Sequence, residues 1–179
     1  MTDEQLVKQC LENNRNAQQE LFEKYSRKMM SLCIRYAGNE DDAKDILQEG
    51  FIKVFIHLKD YSGNGNLSGW IKSIMVNTAL NFLKKSVYLT EMVQMEEGYA
   101  VSGIAQSESR LGEQELMKLI RSLPDGFRTI FNLFAIEGYT HKEIAHMMGI
   151  SENTSKTQYL RARARLQKMI NAKSEKVIA

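Results

Sequence analysis

The residues best placed to do chemistry lie toward the C-terminus, and the chemistry is recognition rather than bond-making. Thr140 and Glu143 stand three apart ahead of an apolar run, the spacing of a capping box. Gly149-Ile150-Ser151 then supplies a turn, a buried aliphatic and a second helix cap. The pattern over residues 140–166 is a short capped helix, a glycine turn and a longer second helix, with small Ala145 allowing close approach. The second helix opens on Glu152, Asn153, Thr154, Lys156, Thr157 and Gln158 and continues with Arg161, Arg163 and Arg165. Polar groups at a helix N-terminus can read base edges in a major groove, and arginines farther along can hold phosphates. A helical hairpin with a solvated basic face fits the same pattern.

A second cluster lies in the first half of the chain. A polar loop over residues 61–66, with Gly63 and Gly65 among asparagines, precedes a helix carrying Trp70, Lys72, Asn77, Asn81, Phe82, Lys84 and Lys85. Asparagine can bond base edges, lysine can hold phosphate and aromatic rings can stack on unpaired bases. The alternatives are Trp70 and Phe82 in the core and Lys84-Lys85 as a solvated helix end.

Catalytic constellations fail. His57, His141 and His146 are isolated, and the five-residue step between the last two does not put two imidazoles on one helix face. There is no phosphate-binding glycine loop, dinucleotide motif or nucleophile elbow. Cys10 and Cys33 read as buried free thiols. The reading is therefore no catalytic residue, no metal and no cofactor.

The elements that must position these residues are helices. With 179 residues, 43% hydrophobic and 26% charged, the chain is long enough for one large or two small folded domains. It has no apolar run of membrane-spanning length. The acidic opening Thr2-Asp3-Glu4 predicts no secretory leader and a cytoplasmic address. Apolar three- and four-residue spacings predict a short helix capped by Thr2 or Asp3, and a longer one starting at Asn16 and ending at Gly38-Asn39. A third is capped by Asn39, with Ala43, Ile46, Leu47, Phe51, Val54, Phe55 and Leu58 inward. A fourth spans 67 to 85. Helices over 114–122 and from Phe127 to about Phe134 flank Leu123-Pro124-Asp125. The last helix is expected to turn Leu160, Leu166 and Met169 inward. No strand is predicted. Residues 86–112 hold one Arg and four Glu, whereas 113–179 hold eleven Lys/Arg against seven Asp/Glu, so an acidic aperiodic stretch separates two mildly basic segments. The expected organisation is all-α: two small helical domains, 1–85 and 112–179, joined by a flexible linker over 86–111.

Joined in this order, the motifs resemble those of an extracytoplasmic-function sigma factor, the minimal type of bacterial transcription initiation subunit in the sigma-70 family. Glu20-Leu21-Phe22-Glu23-Lys24-Tyr25 resembles the opening of sigma region 2. Asp41-Asp42-Ala43-Lys44-Asp45-Ile46-Leu47-Gln48-Glu49-Gly50-Phe51 is similar to its polymerase-binding helix, and Gly69-Trp70-Ile71-Lys72-Ser73-Ile74 through Asn81 to its promoter-reading helix. Leu123-Pro124-Asp125 and the helix-turn-helix resemble region 4. The resemblance implies that Asp45, Gln48, Glu49 and Phe51 face core RNA polymerase at its β′ clamp helices. It implies that Tyr61, Asn64, Asn66, Trp70, Lys72, Asn77, Asn81 and Lys84 serve the single-stranded −10 element. Thr154, Ser155, Lys156, Thr157, Gln158, Arg161 and Arg163 would serve the duplex −35 element. The common family form has Gly at position 153 and Val at 155, where this chain has Asn and Ser. The β flap of polymerase and an anti-sigma factor are further implied partners, with no membrane insertion.

Two other readings fit parts of the chain: a regulator with an N-terminal sensory bundle and a similar helix-turn-helix, and a helical protein-interaction adaptor. Against the first, a sensory bundle has no need of the Asn/Lys/Trp surface or of Gln48-Glu49. The adaptor predicts no salt-dependent DNA affinity.

Overall fold

The computed structural model describes residues 1–63, 65–85 and 112–178. The expected linker, 86–111, and Asn64 lie outside the described residues. Those described are helical, without a strand, and form two compact units, Met1–Phe82 and Leu83–Ala179.

Local side-chain chemistry starts each helix of the first unit. Thr2 caps α1 (Asp3–Leu11) in a capping box: Gln5 N donates to Thr2 Oγ1, and Gln5 Oε1 accepts from Thr2 N. The cap of α2 (Arg15–Ala37) is Asn14 rather than Asn16, its Oδ1 accepting from Asn16 N and Ala17 N. Asn13 takes a positive φ to make the intervening turn, a conformation asparagine tolerates. Gly38, at φ 80°, ends α2. Asn39 then caps α3 (Glu40–His57), whose first turn holds Glu40, Asp41 and Asp42, the charge sign the helix dipole favours. After a 3₁₀ turn at Leu58–Asp60, Asn66 starts α4 (Leu67–Lys85), its Oδ1 accepting from Ser68 N. Leu6, Leu21, Tyr25, Ile46, Val54, Ile71 and Met75 build the core of this unit, together with Cys33. Gly50 sets the approach of α3 to α4, because a Cβ there would collide with the Met75 thioether. The Gly50 slot and the Lys53–Thr78 hydrogen bond (3.4 Å) hold α3 against α4.

In the second unit, α5 (Glu113–Arg121) and α6 (Asp125–Phe131) meet at Leu123-Pro124. Arg128 is buried beneath that corner, donating to the carbonyls of Arg121 and Leu123 and pairing with Asp125. A π-turn over Asn132–Ile136 extends α6, with Glu137 N donating to Asn132 O. Helices α7 (His141–Met148) and α8 (Glu152–Ile178) follow. Leu119, Ile120, Leu123, Phe127, Ala162 and Leu166 form the core. Leu160, expected inward, is instead 40% exposed. Ala162, Leu166 and Met169 share a four- and three-residue step, whereas Leu160 lies six residues from Leu166 and so falls on the other side of α8. No helix among the described residues is long and apolar enough to cross a membrane.

Candidate nucleic-acid and protein interfaces

The helix-turn-helix is assembled as its caps predict. Glu143 N donates to Thr140 Oγ1, and Thr140 N donates to Glu143 Oε2 at 2.7 Å. That backbone N–H holds the Glu143 carboxyl below its usual range. Gly149 turns the chain at φ 70°, and Ser151 Oγ accepts from Thr154 N. The Thr154 hydroxyl bonds Ser151 in turn, so Thr154 belongs to the cap as much as to the surface.

Ser155 is a correction. Expected among the DNA-reading residues, it is wholly buried, with Oγ 2.9 Å from His141 Nδ1. Its position on α8 faces α7, where an outward contact is sterically closed. His141 lies flat on Phe134 (centroids 4.2 Å, 10° between planes) with Tyr159 at its edge. Burial, then the nearby Lys156 ammonium, pushes the imidazole below its ordinary value. One histidine thus ties the π-turn, α7 and α8 together, a role invisible when His141 is inspected for metal-ligand spacing.

With that face fixed, the opposite face of α8 presents Asn153, Lys156, Thr157 and Leu160 as one exposed stripe, flanked by exposed Arg163 and Arg165 and half-buried Gln158 and Arg161. Lys156 pairs with Glu152 at 2.7 Å, which holds the Glu152 carboxyl low.

In the first unit, Tyr61 OH donates to Gly65 O at 2.6 Å and closes the loop that Gly63 and Gly65 make through positive φ. The Tyr61 ring leans on Trp70 (5.4 Å, 52°), which is half-buried. Asn66 spends its carbonyl oxygen on starting α4. Down α4, Trp70, Asn77 and Asn81 share one face by helical phase, with Asn77 and Asn81 exposed; exposed Lys84 has the same phase on the last turn of the helix, past the end of this unit at Phe82. Asn77 Nδ2 donates back to Ser73 O at 2.9 Å, which anchors the amide to its own helix. Lys72 is separated from this group: it is half-buried and about 200° around the helix from Trp70.

On α3, Asp45 and Gln48 are exposed and Glu49 is half-buried. Glu49 bonds Lys53 at 2.7 Å, the four-residue pair its spacing allows. Phe51 is a second correction, to the partner-facing role the resemblance implied and not to the inward place its helical period predicts. It is 3% exposed, with its ring edge-on to Phe22 at 4.7 Å, so it belongs to the core and cannot face a partner. The exposed apolar side chains here are Ile52 (53%) and Ile56 (59%), in phase with Asp45, Gln48 and Glu49. Sequence reasoning passed over both. Their signal is an apolar pair four apart, out of phase with Ile46 and Val54.

Comparison with known proteins places these surfaces in context. Residues 21–87 match the family model of Sigma-70 region 2, and residues 113–166 that of Sigma-70, region 4. The chain is 30% identical to the ECF RNA polymerase sigma-E factor of Escherichia coli K12 over 175 residues, 91% of each chain. It is 28% identical to the RNA polymerase sigma-H factor of Pseudomonas aeruginosa over 180 residues, 94% of this chain and 93% of the relative. Its fold is similar to that of the sigma factor RpoE, solved in complex with the anti-sigma factor NepR from Bartonella quintana. That match has TM-score 0.53 and 21% identity, and covers 86% of this chain and 96% of that one.

Proposed function

This chain belongs to the sigma-70 family, in its extracytoplasmic-function branch, and from that premise we propose how its surfaces divide the work of an RNA polymerase sigma factor. The N-terminal domain, 1–85, binds core polymerase and the −10 element. The C-terminal domain, 112–179, binds the −35 element, and 86–111 joins them.

The observation that carries this reading is the two-sidedness of α8. Ser155, Ala162 and Leu166 are buried, while Lys156, Thr157 and Arg163 face outward. The His141 anchor fixes that orientation before DNA arrives, so binding spends little on ordering the helix. Lys156 and Thr157 then read base edges, while Arg161 and Arg163 hold phosphates. On α4 the face of Trp70, Asn77, Asn81 and Lys84 meets unpaired −10 bases beside the Tyr61 loop, with Asn64 and Asn66 in that loop. The stripe Asp45–Gln48–Glu49, extended by Ile52 and Ile56, docks on the β′ clamp helices. Carboxylates and an amide around an apolar centre suit a partner with arginines and a groove.

No step is catalytic. The chain contributes placement and strand separation, and the polymerase makes the bonds. Its place of work is the bacterial cytoplasm, where polymerase is. An anti-sigma factor is a further partner, supported by the Bartonella sigma factor's complex with NepR.

A tethered iron chelate tests the division of labour in holoenzyme, because the native cysteines are buried. A chelate on Thr157→Cys should cut duplex DNA near −35, and one on Asn81→Cys should cut near −10. Cleavage at the same element from both, or from neither, would overturn the assignment.

A further inference from the structure

We propose that Glu152 is a specificity-determining residue of the DNA-reading helix, acting with Lys156 as a paired acceptor and donor that selects a G·C-containing step in the −35 major groove. The inference rests on the assignment of α8 as the −35 reader and adds a residue outside the expected reading set.

Glu152 is the first residue of α8, and its side chain is half exposed. Its Oε1 lies 2.7 Å from Lys156 Nζ. Helical phase puts Glu152, Lys156 and Arg163 on one stripe, so the carboxylate stands on the surface that meets DNA rather than behind it. The ammonium has three donors and gives one to Glu152, leaving two for guanine O6 and N7. The carboxylate has a second oxygen, Oε2, which can accept from the N4 amino group of cytosine, the one base that offers a major-groove donor without an adjacent N7 acceptor. The Lys156 hydrogen bond holds the Glu152 carboxyl below its usual range, and as a carboxylate it is an acceptor only.

The same charge disfavours everything else. A carboxylate held toward a phosphate polyanion costs affinity for every sequence, and a cytosine amino group in register offsets that cost best, because the adenine amino group stands beside an N7 acceptor that repels a carboxylate. Glu152 thus trades affinity for discrimination. A plain helix-stabilising role for the pair predicts the opposite dependence: loss of stability and no change in preference.

The test uses reconstituted holoenzyme and a duplex library randomised across the −35 element, with Glu152→Ala, Glu152→Gln, Lys156→Ala and Arg163→Ala compared at fixed salt. Glu152→Ala should flatten the cytosine preference at one position by about 5- to 150-fold and tighten binding to random duplex. Glu152→Gln, of nearly the same shape, should move that preference toward adenine, which an amide reads through N6 and N7. An unchanged base profile in both Glu152 variants, with Lys156→Ala altering its own position, would overturn the proposal and leave the α8 assignment standing. Unchanged binding in all four variants would overturn the α8 assignment itself.

Discussion

Replacing Ile52 and Ile56 together by alanine isolates the polymerase-facing surface from the fold. Each isoleucine keeps somewhat more than half of its surface in water, 53% and 59%. Full burial of such a side chain stabilises by about 1.5–3 kcal/mol, so covering the exposed half on a partner contributes about 1 kcal/mol each. The double variant should then bind core polymerase about 30-fold more weakly, since about 1.4 kcal/mol is a factor of ten. Its thermal stability should change little, because each side chain is more than half exposed in the free protein and alanine favours helix. Phe51→Ala is the opposite probe. With the residue 3% exposed in the core of the first unit, it should cost about 3–5 kcal/mol of fold stability. The assay is titration of a fluorescently labelled chain with core polymerase, paired with thermal melts. Core affinity of the double variant within twofold of the parent, at unchanged melting temperature, would refute the assignment of this stripe.

Three further outcomes follow from the same geometry. Lys156→Ala should relax preference at one −35 position by about 1–3 kcal/mol, whereas Arg163→Ala should weaken all duplexes alike and lower the salt slope by about one unit, both read from library binding at several salt concentrations. Asn77→Ala should spare −35 duplex binding and impair promoter opening, seen as loss of permanganate-reactive thymines. The third concerns pH: His141, with Phe134, Tyr159, Ser155, Lys156 and Glu152 about it, has its folded pKa below the ordinary 6.5. The unfolded chain therefore takes up the proton first. The stabilisation is complete above about pH 6.5 and is lost as pH falls through that value toward the folded pKa. Melts of the second unit should show this slope above the carboxylate range, and His141→Phe should remove it.

What was legible in the sequence is mostly what neighbours along the chain decide. The Thr140–Glu143 box, the Ser151 and Asn39 caps and the break at Leu123-Pro124 depend on residues within one turn, and each stands where its spacing predicts. The orientation of the longer helices is set by partners far away in sequence. The helical period already turns Phe51 inward with Ile46 and Val54, and the structure keeps it there beside Phe22 of α2; only the motif resemblance puts it on the partner-facing side. Ser155 is polar on a helix with a polar face, and only His141 across the turn shows why it is buried. Asn14 and Asn16 are both competent caps, and the turn at Asn13 selects the first. Leu160 was legible in principle, since its six-residue step from Leu166 already breaks the helical period. The comparisons bear out the family and the promoter-directing function that the joined motifs implied, while the individual reading residues rest on the experiments above.

The central claim is that this chain confers promoter choice on a polymerase that lacks it. The direct measurement is run-off transcription from a genomic fragment library with purified core polymerase, with and without the chain, followed by mapping of the 5′ ends. The expected result is a small set of new start sites sharing two upstream elements about one −35 to −10 spacing apart, absent with core alone and lost with the Ile52→Ala/Ile56→Ala variant. Start sites that are the same with and without the chain, while it binds core normally, would contradict it.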